Sequence, residues 1–287
     1  MNIQWFPGHM TKTQRMMEEN IKLIDIVIEI VDARLPLSSR NPKIDEIVGN
    51  KPRLLLLNKC DIADSNITSA WERYFAAQGV PVMVVSSTGN KKLNAIFDKC
   101  RQILSDKIEK QREKGITNRA IKVIVVGVPN VGKSSLINKL SGRKSAITGD
   151  RPGVTRGKQW IRLDNGIELL DTPGILWPKF DDEEVGKKLA FTGAIRDEIM
   201  DIEELACHLL MFLHSTYPQS LEMRYKMTDI DDLESYEMLE LLGRKRGFVI
   251  SGGEIDTERA AKILLDEFRG AKLGNISLEK PGDFNEA

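Results

Sequence analysis

A glycine-rich segment near the middle of the chain has the residue types and spacing of a phosphate-binding loop. It runs Gly127-Val-Pro-Asn-Val-Gly132-Lys133-Ser134, after an apolar run and before a helix-like stretch, which is the context that the pattern requires. The glycines let backbone N–H groups face phosphate oxygens, the lysine supplies a point charge and the serine hydroxyl can ligate magnesium. The predicted ligands of a nucleotide phosphate chain are Asn130, Val131, Gly132, Lys133, Ser134 and Ser135.

Two segments closer to the N-terminus have groups that can distinguish guanine from adenine. Asn58-Lys59-Cys60-Asp61 directly follows one apolar run, and Ser86-Ser87-Thr88 follows the next. A carboxylate at Asp61 can accept from both the ring N–H and the exocyclic amino group of guanine, a donor pair that adenine lacks. Backbone N–H groups at Ser86 and Ser87 can meet the guanine carbonyl oxygen. Together the two segments predict a preference for GTP over ATP.

Two segments after the phosphate loop have groups suited to Mg²⁺ and the terminal phosphate. In Asp171-Thr-Pro-Gly174, the carboxylate can reach Mg²⁺ through water, and the Gly174 N–H can sense the terminal phosphate. Pro152-Gly153-Val154-Thr155 offers a threonine in a cation-rich loop, suited to close over Mg²⁺ when that phosphate is present. The predicted magnesium ligands are therefore Ser134, Thr155 and Asp171.

Apolar runs and helix-like stretches alternate over the first part of the chain and predict an α/β fold. Helix-like stretches such as Ser69–Gln78 and Leu93–Glu113 lie between the first four runs. This alternation predicts a mostly parallel sheet flanked by helices, with ligands at the carboxyl ends of the strands. The six predicted strands are Ile24–Val31, Arg53–Leu57, Val80–Val85, Ile121–Val126, Gln159–Leu163 and Ile167–Leu170.

The β pattern fades from Asp181 onward, and amphipathic helix patterns take its place. These patterns cover Ile202–Leu213, Tyr236–Leu242 and Thr257–Phe268. The turn-rich stretch Asp171–Pro178 marks the junction. We therefore predict two domains: a nucleotide-binding domain over residues 1–178 and a smaller α-helical domain over residues 179–287.

Charge is balanced over the chain but unevenly distributed. The 287 residues carry 42 Lys and Arg against 42 Asp and Glu, yet the stretch from Lys99 to Arg162 has 16 basic and 4 acidic residues. This stretch either presents a face that attracts polyanions or combines solvated helix faces with the cations of a phosphate site. Three scattered cysteines, no apolar run of membrane-spanning length and no secretory pattern at the N-terminus predict a cytoplasmic protein.

The motifs resemble the boxes of the translation-factor-related GTPases, but in a different order. The guanine-reading segments at Asn58 and Ser86 precede the phosphate loop, which is the mark of circularly permuted GTPases. With Trp5-Phe6-Pro7-Gly8-His9-Met10, Asp32-Ala33-Arg34 and Ser39-Arg40-Asn41-Pro42, nearly the whole chain is similar to the ribosome biogenesis GTPase A family. The resemblance implies a circularly permuted P-loop GTPase domain followed by a smaller α-helical domain, with Mg²⁺ as cofactor.

The resemblance also implies a function and partners. Members act late in maturation of the large ribosomal subunit, bind the precursor particle in the GTP state and leave after hydrolysis. The implied partners are GTP and GDP, the precursor with its rRNA, and ribosomal proteins, with no membrane; we expect a monomer. A regulatory switch that recruits proteins without RNA remains open, whereas Asn58 and Asp61 argue against an ATP-driven enzyme.

The family's helical domain binds ribosomal RNA, so basic residues in this region are candidate phosphate contacts. Acidic neighbours leave open that the same residues are ordinary solvated helix positions. The candidates are Arg244, Lys245, Arg246, Arg259, Lys262, Arg269 and Lys272.

The chain lacks the glutamine that many GTPases place after the Asp-x-x-Gly box. Ile175 and Leu176 stand there instead, and neither side chain can orient a water. The resemblance implies that His9 supplies the catalytic group, because an imidazole that titrates near neutrality can position or accept from the attacking water. Asn130 stands where potassium-activated relatives place a potassium ligand, although a loop asparagine bonded to its own backbone would look the same.

Overall fold

The computed structural model describes residues 8–89, 93, 95–116, 119–142, 159–163, 166–176, 180 and 182–284. The described residues form two compact units, one of residues 8–176 together with 277–284 and the other of residues 180–276. We call them the sheet unit and the helical unit. The sequence pattern predicts a helical domain from residue 179 onward, but residues 277–284 pack with the sheet unit.

The sheet unit is built on six strands in the order β3-β2-β1-β4-β6-β5. Neighbouring strands are parallel except β5 and β6, which are antiparallel. The predicted mostly parallel α/β sheet is therefore confirmed. The strands are β1 (Ile26–Asp32), β2 (Arg53–Asn58), β3 (Val82–Val84), β4 (Ile121–Val126), β5 (Gln159–Leu163) and β6 (Ile167–Asp171).

The central strands are apolar because helices cover both faces of a parallel sheet. Every residue of β1 is buried, including Glu29. This buried carboxylate is neutralised by Arg40 at 3.2 Å and Arg53 at 3.0 Å. The same burial makes these strands recognisable in the sequence as short continuous apolar runs.

Six helices of the sheet unit are described. The sequence predicted one helix over Leu93–Glu113, but the structure has two, which meet at Leu104. The backbone leaves helical geometry there (ψ 8°) while the Leu104 side chain stays buried. The helices are α1 (Gly8–Asn20), α2 (Pro42–Val48), α3 (Ser65–Ala77), α4 (Ala95–Ile103), α5 (Ser105–Glu113) and α6 (Lys133–Ser141).

Helix α3 attaches the last described residues to the sheet unit. The Trp71 and Phe75 rings of α3 stack at 5.5 Å and pack in the core with β1 and β2 residues. The Trp71 indole N–H donates to the Glu279 carbonyl oxygen at 3.1 Å, and the Asp64 N–H, at the N-cap of α3, donates to the Ser277 hydroxyl at 3.1 Å. A buried indole needs such a partner, and here the Glu279 backbone supplies it.

Five helices form the helical unit, where α8 packs against both α10 and α11. Arg269, at the end of α11, donates to the Ala190 and Phe191 carbonyl oxygens and forms a bidentate pair with Asp197. Among the described residues, none of the helices combines the length and apolar character needed to cross a membrane. The helices are α7 (Glu183–Phe191), α8 (Ile202–Thr216), α9 (Pro218–Tyr225), α10 (Ser235–Lys245) and α11 (Thr257–Arg269).

Candidate guanine-nucleotide site

Four predicted nucleotide-binding segments, which begin at Asn58, Ser86, Gly127 and Asp171, meet at the carboxyl edge of the sheet. They follow the carboxyl ends of parallel strands, which lie together in such a sheet. In the register of the ladder, Asp32 at the end of β1 pairs with Asn58 at the end of β2. Val125 of β4 likewise pairs with Asp171 at the end of β6. The segments come together although they are spread over more than a hundred residues of sequence.

The phosphate loop depends on two glycines. A Cβ atom at Gly127 would lie 2.4 Å from the Ile30 carbonyl oxygen, and one at Gly132 would lie 2.4 Å from the Asn58 amide nitrogen. Gly132 also has a left-handed backbone (φ 96°). Asn130 is left-handed as well (φ 56°), a conformation that asparagine tolerates better than most residues. The close contacts at Gly127 and Gly132 explain why these two positions of the loop need glycine.

The phosphate loop leads into α6, whose first residues include Lys133, Ser134 and Ser135. The N–H groups at a helix N-terminus favour phosphate binding. Burial lowers the pKa of Lys133 to about 8, an effect that nearby Asp171 partly opposes. The lysine therefore sits in a desolvated position where an added negative charge is strongly favoured.

Asp171 is fully buried beside this lysine. Burial raises its pKa, while Lys133 acts in the opposite direction. Neither carboxylate oxygen has a hydrogen-bond partner of normal geometry among the described residues. A buried carboxylate without such partners fits a role as an outer ligand of Mg²⁺, because the hydration shell of the ion would satisfy both oxygens.

Asn58 connects the guanine-reading segments to the phosphate loop. Its buried side chain accepts from the Ser87 N–H at 2.9 Å and donates to the Val131 carbonyl oxygen at 2.7 Å. The amide also lies 3.2 Å from the Ser87 hydroxyl. The side chain is thus engaged by protein groups on both sides, so Asn58 serves the site by aligning its two halves.

Asp61 is the exposed end of a polar cluster suited to guanine. Its Oδ2 accepts from the Thr88 hydroxyl at 2.8 Å, which lies 2.9 Å from the Ser86 hydroxyl. Partial burial would raise the pKa of Asp61, but hydrogen bonds from Ser86 and Thr88 keep it below its usual value. Lys139 of α6 holds the loop by donating to the Thr88 and Gly89 carbonyl oxygens. The carboxylate is therefore an ionised acceptor at neutral pH.

Lys59 and Cys60 have different surroundings. Lys59 is left-handed (φ 63°), and its Nζ lies 3.0 Å from Asp32. Burial would raise the pKa of Asp32, but Arg34, which binds it bidentately, and Lys59 hold it well below its usual value. Cys60 packs against the apolar cluster around Trp71. The Asp32-Ala33-Arg34 motif thus anchors the lysine of the guanine-reading segment.

The segment after β6 lies directly on the phosphate loop. A Cβ atom at Gly174 would come within 2.7 Å of the Pro129 backbone, so only glycine fits. The Ile175 N–H donates to the Gly127 carbonyl oxygen at 3.2 Å, and Asn41 donates to the Ile175 carbonyl oxygen at 3.0 Å. This contact brings the predicted terminal-phosphate sensor, Gly174, beside the loop.

Two predicted residues lie outside this description. Thr155 is not among the described residues, and His9 belongs to α1 but its side chain is not described. Conversely, the sequence does not predict the contacts that Asn41, Lys139 and Glu279 make in and around the site. Asn41 belongs to the motif Ser39-Arg40-Asn41-Pro42, which could have drawn attention to it. Lys139 and Glu279 belong to no recognisable motif.

Comparisons with known proteins agree with this site. A family model described as 50S ribosome-binding GTPase matches residues 122–247. Ribosome biogenesis GTPase A of Bacillus licheniformis is 48% identical over 99% of this chain and 100% of its own length. The Thermotoga maritima protein of the same name is 33% identical over 98% of this chain and 95% of its own length.

Solved structures give the same result for the fold. A GDP-bound structure of TM YlqF has a TM-score of 0.69 and 30% identity, covering 94% of this chain and 100% of that one. GNP-bound YlqF from T. maritima has a TM-score of 0.66 and 29% identity, covering 94% and 98%. With the permuted order of its nucleotide motifs on a shared sheet edge and full-length relatives of this identity, the chain belongs to the ribosome biogenesis GTPase A family.

Proposed function

We propose that this protein hydrolyses GTP to GDP and phosphate as an assembly factor for a late step of large ribosomal subunit maturation. In the proposed cycle, it binds the precursor particle in the GTP state and leaves after hydrolysis. The observation that carries the proposal is the buried pair Lys133 and Asp171 beside the glycine loop, combined with the ionised Asp61 in the guanine-reading segment.

The phosphate chain of GTP would be bound by N–H groups of the loop and by Lys133, which stabilises negative charge on the transferring phosphoryl group. Ser134 and Thr155 would hold Mg²⁺, with Asp171 acting through a water. When bound, the ion neutralises charge on the outer phosphates. Asp61 would bind the ring N–H and amino group of guanine, and backbone N–H groups at Ser86 and Ser87 its carbonyl oxygen.

The attacking water needs a polar group that the Asp-x-x-Gly segment does not supply. Ile175 and Leu176, which follow Gly174, are buried and apolar. We assign the role of orienting the water to His9, because an imidazole can position the attacking water or accept its proton. We expect low basal activity and stimulation by the large subunit, which would place His9 against the attacking water.

Asn130 is our candidate ligand for a potassium ion. Its left-handed backbone (φ 56°) lies within the phosphate loop, two residues before Gly132. A monovalent cation at this point would place positive charge near the transferring phosphoryl group, as an arginine finger does. Magnesium and potassium would then act on the same phosphates from different ligand sets.

The surface of the sheet unit offers a candidate contact for ribosomal RNA. A cleft between α5 and the start of β4 is lined by Arg101, Lys107, Arg112 and Arg119. Lys107 and Arg119 share one acidic partner, Asp25, at 2.7 Å and 3.3 Å. The lining therefore has more basic than acidic groups, which favours an RNA backbone.

Some of the basic residues in the helical unit that could contact RNA phosphates are already engaged by other groups of the protein. Arg269 is engaged by Asp197 and by backbone carbonyls, Arg246 pairs with Glu267 at 3.1 Å, and Lys262 pairs with Glu258. Arg259 lies over the Phe248 ring at 4.5 Å. The better candidates for phosphate contacts are the exposed residues Arg244, Lys245 and Lys272.

The test is co-sedimentation with purified large ribosomal subunits in the presence of a non-hydrolysable GTP analogue, GDP or no nucleotide. We expect retention with the analogue, release with GDP, and weaker retention as salt rises, because each phosphate contact releases counterions. Co-sedimentation of the protein with the subunits that changes with neither the nucleotide nor the salt concentration would contradict the proposal. Nucleotide-dependent capture of a protein partner without RNA would instead support a regulatory switch.

A further inference from the structure

The Ser39-Arg40-Asn41-Pro42 motif has no part in the nucleotide chemistry described so far, yet Asn41 is almost completely buried. Its side chain makes two hydrogen bonds. The Oδ1 atom accepts from the Lys43 N–H at 3.0 Å and caps α2, and the Nδ2 atom donates to the Ile175 carbonyl oxygen at 3.0 Å. One amide therefore joins a helix cap to the segment that follows Gly174.

Ile175 is held from both sides of its backbone. Its N–H donates to the phosphate-loop residue Gly127, and its carbonyl oxygen accepts from Asn41. These two bonds fix the peptide next to Gly174, which itself contacts the Pro129 backbone too closely for any side chain. A segment so constrained presents the Gly174 N–H in one orientation.

The loop that carries Asn41 is itself held by Glu279. The buried Glu279 carboxylate accepts from the N–H groups of Leu37 and Ser38, and from the Ser38 hydroxyl at 2.7 Å. Glu279 is separated from these residues by more than 240 positions in sequence. Between Ser38 and Asn41, the Ser39 hydroxyl donates to the Leu35 carbonyl oxygen at 2.7 Å and closes the loop.

We propose that Asn41 is a positioning residue that holds the Asp171–Leu176 segment ready for the terminal phosphate of GTP, and that Glu279 fixes the loop from which Asn41 acts. This proposal rests on the proposed GTPase function. Because only GTP has the phosphate that Gly174 would sense, loss of this support weakens GTP binding selectively. A merely structural role would affect GDP and GTP equally.

The test exploits the two bonds of Asn41. Asn41→Asp retains the oxygen that caps α2, since Asp is as good an N-cap as Asn, but replaces the donor to Ile175 with a repelling oxygen. We expect the Kd for a non-hydrolysable GTP analogue to rise about tenfold, with the Kd for GDP changed by less than about twofold. Asn41→Ser, which also caps but is too short to reach Ile175, should show the same selectivity.

Glu279→Ala tests the second link. Alanine removes the carboxylate that accepts from the Leu37 and Ser38 N–H groups and from the Ser38 hydroxyl, so we expect the ratio of analogue to GDP Kd to rise about threefold. In Asn41→Asp/Glu279→Ala, the increase in this ratio should be smaller than the product of the two single effects, because both changes act on one chain of contacts. Lys43→Ala, which alters an exposed side chain of α2 beside Asn41, is the matched control and should leave the ratio unchanged.

The outcomes separate this proposal from the GTPase function itself. If the native protein binds neither guanine nucleotide, the proposed function fails. If the native protein binds both and the Asn41 variants keep the native ratio of Kd values, only the positioning role fails. A parallel loss of GDP and analogue binding in both Asn41 variants would also overturn it.

Discussion

The Asn58 amide donates to the Val131 carbonyl oxygen at 2.7 Å, joining the end of β2 to the phosphate loop across 73 positions of sequence. The same side chain accepts from the Ser87 N–H. The segments predicted to bind the base and the phosphates are thus joined by one buried amide, so a shift of either segment would break one of these hydrogen bonds.

Asn58→Ala should destabilise the protein and weaken GDP and GTP binding together. The change leaves a buried N–H and a buried carbonyl without partners, which costs about 2–3 kcal/mol of unfolding free energy. Chemical denaturation and fluorescence titration with both nucleotides measure the two effects. The exposed Asn66 of α3 provides the control, Asn66→Ala, for which we expect little change in either quantity. Selective loss of GTP binding alone would contradict this account of Asn58.

Asp61→Asn should change the base preference from guanine toward xanthine. The amide offers a donor where guanine also presents donors, whereas xanthine offers a carbonyl oxygen. Competition between GTP, XTP and ATP for the native protein and the variant measures the change. If Asp61→Asn binds GTP with unchanged affinity, Asp61 does not bind the guanine base.

Nucleotide binding should take up a proton near pH 8, because burial lowers the pKa of Lys133 to about 8 and bound phosphates raise it again. Above this pH, affinity for GDP should fall as pH rises. In the nucleotide-free protein, burial penalises the charged form of Lys133, so its contribution to the free energy of unfolding improves as pH rises from about 8 toward the pKa of an unfolded lysine. Calorimetry in two buffers of different ionisation enthalpy measures the proton uptake.

The control for this prediction is Lys133→Met, in which the uptake near pH 8 should disappear. Turnover should also fall strongly in this variant, because the transferring phosphoryl group loses its charge partner. Normal turnover, or an unchanged proton uptake, would refute the assignment of Lys133.

Replacing potassium with sodium at equal ionic strength should slow GTP hydrolysis if Asn130 ligates the ion. The informative variant is Asn130→Gly, because glycine accepts the left-handed backbone at this position (φ 56°) while removing the ligand. Hydrolysis by this variant should respond less to the choice of salt. Equal rates of GTP hydrolysis by the native protein in the two salts would contradict the proposed potassium site.

His9→Ala should abolish the stimulation of hydrolysis by large ribosomal subunits and leave GTP affinity near the native value. Single-turnover hydrolysis with and without subunits measures the first property, and equilibrium titration measures the second. His208→Ala, which changes a partly exposed histidine of the helical unit, is the matched control. If stimulation survives in His9→Ala, the catalytic group comes from elsewhere, with the ribosome as the next candidate.

Local patterns explain which parts of the fold could be predicted from sequence. All six strands were recognisable as short apolar runs, which are continuous where a strand is parallel and buried, as in β1 and β2. The motifs that follow four of the strands identified the sheet edge. The break at Leu104 was not recognisable, because its apolar side chain continues the helical pattern across it. The bond between Asn41 and Ile175 spans 134 positions, and no local rule indicates such a pair.

The attachment of Glu279 and Ser277 to the sheet unit has a consequence for how the chain folds. The Trp71 indole and the Ser38 hydroxyl take partners that lie 208 and 241 positions later in the sequence. Closing so long a loop costs conformational entropy, and contacts of such long range slow folding. The sheet unit therefore makes all of its contacts only when the chain returns to it after the helical unit, with residues 277–284.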